Sequence, residues 1–374
     1  MTVFSEKDRM TDIAFLLVDL GGGGAEKVML SLAGGFAEKG LKVDLVLVKL
    51  GGDYQSIVSP KVRVINLSHP RLITSLPLLV NYLKQHRPKV LISALEDANT
   101  VAILAKILAR TATRVIVSVH NPLAFVHAKR SALKQKLTPL FIRWLFPFAD
   151  AIVGVSQGVC DNIALVSGLP RDRINVIYNP IFTPELLKKF DEPVNEEWFL
   201  DRQTSVILAV GRLSKEKDFP SLIRAFALVK QQYPVKLIIL GQGGELLALE
   251  QLVKELKLVD DVAFPGFVTN PYAYMSKAKM LVMTSIYEGF GNVLVEAAIA
   301  GTPVVSTNCE SGPAEILEDG KYGDLVAVGD VPGLAAAIIS TLKNPRNPDL
   351  LKQRGQEFSL EAALKKYQLL FNFN

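Results

Sequence analysis

The sequence predicts an α/β protein made of two doubly wound, Rossmann-like domains that face a cleft. Two series of short apolar runs rich in Val, Ile and Leu support this prediction, because longer amphipathic segments separate the runs. Strands that are apolar on both faces are typical of a parallel sheet covered by helices on each side. The length of 374 residues is also sufficient for two domains, each with its own core.

Each apolar run predicts one strand of a parallel sheet. The first series comprises Ile13–Val18, Val43–Val48, Val62–Leu67, Val90–Ile92, Arg114–Val119, Ala151–Val155 and Ile174–Ile177. The second series comprises Val206–Val210, Val235–Leu240, Val262–Phe264, Met280–Met283, Pro303–Ser306 and Leu325–Val328. We therefore predict an N-terminal domain over 1–180 and a C-terminal domain over 203–348.

Two further segments lie outside these domains. Residues 181–202 contain prolines and many acidic residues but no strand pattern, which predicts an interdomain linker. Residues 349–374 have helical periodicity, and we expect a C-terminal helix that can pack back on the N-terminal domain.

Composition excludes several classes of protein and partner. Hydrophobic residues make up 49% of the chain and charged residues 21%, which excludes a disordered, collagen-like or coiled-coil protein. The longest uncharged segment, Val262–Ser276, is shorter than the roughly 20 apolar residues that span a bilayer. No signal peptide is visible, and Cys160 and Cys309 have no metal-ligand spacing, so we expect free thiols in the cytoplasm. A net charge of +5 does not indicate nucleic acid, but it suits an anionic substrate or a membrane surface.

A glycine run follows the first predicted strand. Gly21–Gly24 lets the backbone approach a ligand closely, and the helix predicted from Ala25 favours an anion at its N-terminus. The dinucleotide pattern G-x-G-x-x-G fails here because position 26, where the third glycine is needed, is a glutamate. The pattern also fails at Gly241–Gly243. A tight turn without a ligand remains the alternative, more strongly for Gly241–Gly243.

Basic residues follow the first strand of the second series. Gly211 and Arg212 come directly after that strand, and Lys217 lies in the same loop. An arginine fork and a mobile lysine charge can together neutralise a diphosphate. A solvated basic turn is the alternative interpretation.

The segment Glu288–Glu296 contains two glutamates eight positions apart around a glycine loop. The loop glycines predict open backbone N–H groups at Gly291, Asn292 and Val293, where a helix begins and can bind a phosphate. Both carboxylates can accept hydrogen bonds from sugar hydroxyls. Glu310 and Glu318 have the same spacing without the glycine loop, so spacing alone is not specific.

Two other polar positions follow predicted strands of the first series. His120 comes after Arg114–Val119, where it is either a reaction-centre residue or a buried structural histidine. Glu96 and Asp97 could indicate an acidic metal site, but a helix cap before Ala98 explains them without a third ligand. The sequence therefore predicts no metal site.

Together these motifs resemble the retaining GT-B glycosyltransferases of family 4 (group 1), whose two glutamates form the EX7E pattern. The resemblance rests on Gly211-Arg212…Lys217, Glu288…Glu296, Gly24-Ala25-Glu26 and His120-Asn121-Pro122, in the family's order over nearly the whole chain. It implies a nucleotide-diphosphate sugar held mainly by the C-terminal domain and an acceptor held mainly by the N-terminal domain. No metal or other cofactor is required.

The resemblance also implies individual roles. Arg212 and Lys217 would bind the diphosphate, Glu288 the sugar hydroxyls, and Glu296 the ribose. His120, Arg212, Lys217 and Glu288 would be catalytic. The other expected donor-binding residues are Gly23, Gly24, Gly211, Val268, Gly289, Phe290, Gly291, Asn292 and Val293.

One segment bears on the donor. Glu310–Leu317 departs from the commoner family pattern and resembles members that transfer N-acetylhexosamines from UDP onto lipid-linked or capsular saccharides. A UDP-linked N-acetylhexosamine is therefore the favoured donor, with GDP-mannose and UDP-glucose still open. A nucleotide-sugar epimerase, a dinucleotide-dependent oxidoreductase and a two-lobed binding protein remain as other functions.

Basic and aromatic residues alternate over His127–Phe148. Lys129, Arg130, Lys134 and Lys136 lie among apolar residues at roughly helical spacing, as in a helix at a membrane interface. An amphipathic helix packed on the sheet is the alternative. The expected location is cytoplasmic. If the segment is an interfacial helix, we also expect peripheral attachment to the inner face of the membrane.

Overall fold

The computed structural model describes residues 11–21, 23–124, 132–200 and 204–371, without the side chains of 132–137. The chain divides into two compact units. The first unit comprises residues 1–180 and 360–374, and the second comprises residues 181–359.

The first unit is built on a seven-stranded parallel sheet of order β3-β2-β1-β4-β5-β6-β7. Its strands are β1 (Ile13–Leu17), β2 (Val43–Leu47), β3 (Arg63–Asn66), β4 (Val90–Ala94), β5 (Arg114–Val119), β6 (Ala151–Gly154) and β7 (Ile174–Val176). The strand order reverses between the neighbouring strands β1 and β4, which is the switch point of this sheet. Ligands bind at such switch points in doubly wound sheets.

Helices cover this sheet and complete its core. They are α1 (Gly24–Glu38), α2 (Leu76–His86), α3 (Glu96–Ala109), α4 (Ala132–Leu145) and α5 (Gln157–Ser167), with the last helix of the chain, Leu360–Phe371, on the same unit. That last helix lies against α1, where a Cβ on Gly35 would come 2.8 Å from Leu364 Cδ1. The rings of Phe36 and Phe371 pack there at a tilt of 50°, with centroids 5.1 Å apart.

The second unit is built on a six-stranded parallel sheet of order β10-β9-β8-β11-β12-β13. Its strands are β8 (Ser205–Val210), β9 (Val235–Leu240), β10 (Val262–Gly266), β11 (Met280–Met283), β12 (Val304–Thr307) and β13 (Asp324–Val326). Its helices are α6 (Pro184–Phe190), α7 (Glu197–Leu200), α8 (Phe219–Lys230), α9 (Leu246–Glu255), α10 (Pro271–Lys277), α11 (Asn292–Ala300), α12 (Pro313–Leu317), α13 (Val331–Lys343) and α14 (Pro348–Gln356). The last helix of the chain is therefore α15. The switch point of this sheet lies between β8 and β11.

The predicted fold class is confirmed, since every predicted strand is present and both sheets are parallel. Strand ends differ from the predicted ones by one or two residues in most cases. The predicted linker 181–202 contains α6 and α7 and belongs to the second unit. Its last two residues, 201 and 202, lie outside the described ranges.

The single helix expected over 349–374 is two helices. Helix α14 belongs to the second unit, and only α15 joins the first. The break is stabilised by Phe358, whose ring packs edge-on against Phe290 with centroids 5.4 Å apart. The carbonyl of Phe358 also accepts hydrogen bonds from the backbone N–H groups of Ile181 and Phe182.

Candidate active site

In the second unit, polar residues gather where β8, β11 and β12 end. The loop after β8 contains Arg212 and Lys217, and the loop after β11 contains Glu288. Because β8 and β11 are hydrogen-bonded parallel neighbours, both loops emerge at the same edge. The sequence-predicted phosphate and sugar residues thus flank the switch point of this sheet.

Lys217 and Glu288 form an ion pair across the switch point. Lys217 Nζ lies 2.5 Å from Glu288 Oε1, and the side chains are 22% and 14% exposed. The lysine stem runs along Gly211, where a Cβ would lie 3.4 Å from Lys217 Cε. This distance is an ordinary van der Waals contact, so the lysine stem packs directly on the backbone of Gly211.

Neighbouring backbone and hydroxyl groups hold this pair in place. Ser285 Oγ donates to Glu288 Oε1 at 2.6 Å, and Thr284 Oγ1 donates to the carbonyl of Lys217 at 2.7 Å. Both contacts of Glu288 engage Oε1, and the described residues give Oε2 no hydrogen bond. One carboxylate oxygen is thus structurally engaged, and the other can accept a hydrogen bond from a ligand.

Cys309, in the loop after β12, lies close enough to Lys217 and Glu288 for their charges to act on its thiol. Burial, reinforced by the charge of Glu288, raises the pKa of the Cys309 thiol to about 12. The thiol is therefore protonated at neutral pH and is not a nucleophile.

Helix α11 begins at this edge without a side-chain cap. Its N-cap residue, Gly291, has φ of 100°, a conformation that glycine adopts without strain. The ring of Phe290 is buried, so this residue can offer a ligand only its backbone. The first turn, with Asn292 and Val293, presents backbone N–H groups and the positive end of the helix dipole.

A second glycine holds this loop tightly against its neighbour. A Cβ on Gly312 would lie 1.7 Å from the carbonyl oxygen of Phe290, and Gly312 has φ of 94°. No other residue type fits at this position without moving the loop. The adjacent Ser311 is buried, and its Oγ has no hydrogen-bond partner among the described residues.

Ser311 is a candidate that the sequence interpretation missed. The sequence of its segment bears on donor identity but singles out no one residue. A buried hydroxyl without a partner costs free energy unless a ligand or water completes it. The sequence signal was its place just after a predicted strand of the second series.

Glu296 lies on the buried side of α11. It is 7% exposed, and its Oε1 accepts a hydrogen bond from Tyr272 of α10 at 3.2 Å. The carboxylate is therefore oriented by a second helix, which the sequence spacing did not reveal.

The remaining predicted residues of this unit lie on loops at the same edge. Arg212 is exposed, and Val268 is half-buried just after β10. The glycines after β9 have a packing role, since Cβ atoms on Gly241 and Gly243 would lie 1.9 and 2.1 Å from the carbonyl oxygens of Gly211 and Leu213. This close approach supports the interpretation of Gly241–Gly243 as a tight turn.

In the first unit, the glycine loop follows β1 at the switch point of its own sheet. Gly23 is the N-cap of α1, without a side-chain cap, and Gly24 is the first residue of the helix. A Cβ on Gly23 would lie 2.2 Å from Glu26 Oε2, so this carboxylate folds back over the loop. Gly22 lies outside the described residues.

His120 follows β5 at the same edge and is 8% exposed. Its Nε2 lies 3.1 Å from Ser118 Oγ, which is 3.3 Å from the hydroxyl of Tyr367 on α15. Burial lowers the pKa of His120 to about 4, so the imidazole is neutral at physiological pH. A neutral ring held by Ser118 can donate or accept one further hydrogen bond through Nδ1.

Glu96 is a further buried acid at this edge. Helix α3 begins at Glu96 rather than at Ala98, so Glu96 and Asp97 lie in its first turn, and the expectation that they precede the helix is wrong. The preceding Leu95 has φ of 73°, an uncommon conformation for a leucine and one that is concentrated at functional sites. Nowhere in the described ranges do three His, Cys, Asp or Glu side chains form a group that could hold a metal ion.

Two family profiles cover most of the chain. The profile described as Glycosyl transferases group 1 matches residues 191–358, and the profile described as Glycosyltransferase Family 4 matches residues 22–183. The first spans the Lys217–Glu288 site, and the second spans the glycine loop and His120.

Similar curated proteins include two from Campylobacter jejuni. One, named N-acetylgalactosamine-N,N'-diacetylbacillosaminyl-diphospho-undecaprenol 4-alpha-N-acetylgalactosaminyltransferase, is 29% identical over 90% of this chain and 92% of its own length. The other, an alpha-1,4-N-acetyl-D-galactosaminyltransferase acting on a GalNAc-containing diphospho-undecaprenol, is 27% identical over 96% of this chain and 97% of its own.

Among solved structures, Anabaena Alr3699/HepE in complex with UDP and glucose has a TM-score of 0.78 at 21% identity. The match covers 97% of this chain and all of that one. A structure of TarM from S. aureus, in complex with UDP and other ligands, has a TM-score of 0.77 at 16% identity. At these identities the likeness shows a shared fold.

Proposed function

Because the chain belongs to the family 4 glycosyltransferases of GT-B fold, we propose that it transfers an N-acetylhexosamine, with retention, from a UDP-sugar to a lipid-linked saccharide. The observation that carries the proposal is the Lys217–Glu288 pair at the switch point between β8 and β11. The names of the two Campylobacter relatives, which specify N-acetylgalactosamine and undecaprenol-linked acceptors, support the donor and acceptor classes.

The positive groups of this site suit a leaving diphosphate. Lys217 would exchange part of its bond to Glu288 for a phosphate oxygen, and the exposed Arg212 would add a guanidinium fork. The backbone N–H groups at the start of α11 would bind the same diphosphate through Gly291, Asn292 and Val293. Preorganised donors of this kind stabilise a leaving group by about 3–4 kcal/mol each in the transition state.

Two carboxylates would hold the hydroxyl-rich parts of the donor. The open Oε2 of Glu288 is suited to accept hydrogen bonds from the transferred sugar. Glu296, oriented by Tyr272, would accept hydrogen bonds from the ribose.

The reaction would proceed on one face of the sugar. The bond between the anomeric carbon and the phosphate oxygen breaks as the acceptor oxygen bonds to that carbon from the same side. The acceptor proton passes to an oxygen of the departing diphosphate. The first unit would contribute the glycine loop at Gly23 and Gly24 and the neutral ring of His120 to substrate binding.

A donor screen tests this proposal. Released nucleotide is measured with UDP-GlcNAc, UDP-GalNAc, UDP-glucose and GDP-mannose, with a bacterial membrane extract as the acceptor source. We expect acceptor-dependent release from a UDP-N-acetylhexosamine and an anomeric configuration in the product equal to that of the donor. Release from GDP-mannose alone would contradict the donor class, and an inverted product would contradict retention.

The other functions considered make different binding predictions. An oxidoreductase would bind NAD, whereas a glycosyltransferase binds a nucleoside diphosphate. Titration calorimetry with UDP, GDP and NAD distinguishes them, and we expect UDP alone to bind tightly. Tight binding of NAD without UDP would overturn the proposal.

An exposed apolar patch on α4 and the following turn supports peripheral attachment to a membrane. Ile142 and Phe146 are buried, which accounts for packing on the sheet. Trp144 is nevertheless 73% exposed, and Leu140, Phe141 and Phe148 are also exposed. Aromatic side chains are favoured at the interface of a bilayer. In the described ranges no helix is long and apolar enough to cross a bilayer.

Vesicle flotation tests this attachment. Lys129 and Arg130 lie outside the described residues, as do the side chains of Lys134 and Lys136, so the test uses the exposed aromatic residues. Wild type is compared with Phe141→Ser/Trp144→Ser, and Leu247→Ser serves as a control because Leu247 is equally exposed on α9. We expect only the aromatic variant to lose binding to phosphatidylglycerol vesicles, and equal binding of all three proteins would contradict the attachment.

A further inference from the structure

A second cationic site lies at the opposite edge of the first sheet. A pocket of about 590 Å³ opens where β4 and β5 begin and where α2 and α3 end. Five of the side chains that line it are basic: Lys84, Arg87, Lys89, Arg110 and Arg114. None of its lining residues is acidic.

This pocket is separate from the candidate active site. Arg114 begins β5 and His120 follows its end, so the two residues lie about 20 Å apart along the strand at roughly 3.3 Å per residue. A ligand in the pocket would therefore not reach the glycine loop or His120.

Most of the positive charge in the pocket is uncompensated. Lys89 pairs with Asp12 at 2.9 Å. In the described ranges, no ion pair joins Lys84, Arg87 or Arg110 to a carboxylate. The ends of α2 and α3 contribute only roughly half a negative charge each, so a net positive charge remains.

Two of the arginines occupy positions where glycine would be more stable. Arg87 and Arg110 are the C-caps of α2 and α3, with φ of 43° and 52°. The left-handed conformation costs a side chain about 1 kcal/mol or more, and glycine is the usual residue there. The chain carries a guanidinium in both places.

Arg114 provides an independent observation. Its Nε is buried and has no hydrogen-bond partner in the described part of the chain. The favourable interaction of basic residues with helix C-termini explains Lys84, Arg87 and Arg110, but not Arg114, which begins a strand. No described carboxylate forms an ion pair with this guanidinium, so the charge of Arg114 adds to the positive charge of the pocket.

We propose that this pocket binds a phosphate group. Arginine forks bind phosphate oxygens in pairs, and three arginines line this pocket. The phosphate could belong to a free diphosphate or to the headgroup of an anionic lipid. Phe148 is exposed shortly before β6 begins at the same edge, which favours a bilayer as the source.

The test uses a variant that is expected to fold at least as well as wild type. Arg87→Gly/Arg110→Gly removes two charges and also relieves the backbone at both positions. Lys257→Gly is the matched control, since Lys257 is an exposed basic residue of the second unit with φ of 57°.

In the first arm, inorganic pyrophosphate is titrated by calorimetry into protein already saturated with UDP. In the second arm, the same UDP-saturated proteins are floated with vesicles of phosphatidylglycerol or phosphatidylcholine. We expect the double variant to bind at least tenfold more weakly in one arm, without a lower melting temperature, while Lys257→Gly matches wild type. Loss in the first arm identifies a free phosphate, and loss with phosphatidylglycerol alone identifies a lipid.

Absence of binding by wild type in both arms would overturn the proposal, as would equal binding by all three proteins. The binding of UDP is recorded separately for each protein. Failure of the proposed donor class is therefore distinguishable from failure of this pocket.

Discussion

Replacement of Lys217 by methionine removes one charge of the pair at the switch point and keeps most of the stem along Gly211. Glu288, which is 14% exposed, is then left with the hydroxyl of Ser285 as its described partner. Removing one partner of a fully buried pair costs about 3–5 kcal/mol, and the residual exposure here lowers the expected cost to about 2 kcal/mol. The activation free energy changes separately: without the lysine charge, stabilisation of the leaving group falls by about 3–4 kcal/mol. This lowers kcat by about 100- to 1,000-fold.

A double-mutant cycle separates these two effects. Lys217→Met/Glu288→Gln removes the uncompensated carboxylate, so it should recover about 1 kcal/mol of the free energy of unfolding relative to Lys217→Met. Its activity should remain as low as that of Lys217→Met.

Stability is measured by urea unfolding, and turnover by released nucleotide. Lys215→Met is the control, because Lys215 is exposed in the same helical turn, and its kcat should stay within about twofold of wild type. A kcat for Lys217→Met within tenfold of wild type would refute the role of the lysine. An absence of recovery in the double variant would refute the stabilising pair.

Three further predictions follow from particular contacts. Burial lowers the pKa of His120 from 6.5 to about 4, so the unfolded state binds more protons between these two values. The free energy of unfolding of wild type should therefore fall by about 2 kcal/mol from pH 7.5 to pH 5. Urea unfolding of His120→Gln should lack this slope, and an unchanged slope would contradict the prediction. Gly312→Ala should lower activity at least 100-fold because its Cβ would meet the carbonyl of Phe290, whereas Gly329→Ala, at φ of 79° with open space, should keep its activity and lose only about 1 kcal/mol of the free energy of unfolding; equal losses of activity would contradict the steric reason. Glu296→Ala should weaken the affinity for UDP in calorimetry, whereas Glu310→Ala, on an exposed side chain, should be nearly neutral; a larger loss for Glu310→Ala would show that the wrong glutamate pair was chosen.

The sheet architecture could be predicted from sequence because buried parallel strands are uniformly apolar. Arg114–Val119, Val235–Leu240 and Met280–Met283 were predicted with the bounds that the structure has. The helix break before α15 was not predictable from periodicity, since Phe358 is positioned by Phe290, a residue distant in the sequence.

The site could be predicted only as a set of residue types on strand-end loops. The bond between Lys217 and Glu288 joins positions 71 residues apart, and spacing within a motif carries no signal for it. The orientation of Glu296 depends on Tyr272 of another helix, and the unpartnered hydroxyl of Ser311 depends on three-dimensional packing. Glu96 is not a cap, because α3 begins two residues before the predicted start at Ala98.

Calorimetric titration of UDP in the presence of EDTA tests most directly whether Lys217, Glu288 and the first turn of α11 form a diphosphate site. We expect one UDP per chain to bind without any divalent cation, and its affinity to fall at least tenfold in Lys217→Met but not in Lys215→Met. Binding that requires a divalent cation, or an affinity unchanged by Lys217→Met, would contradict this site.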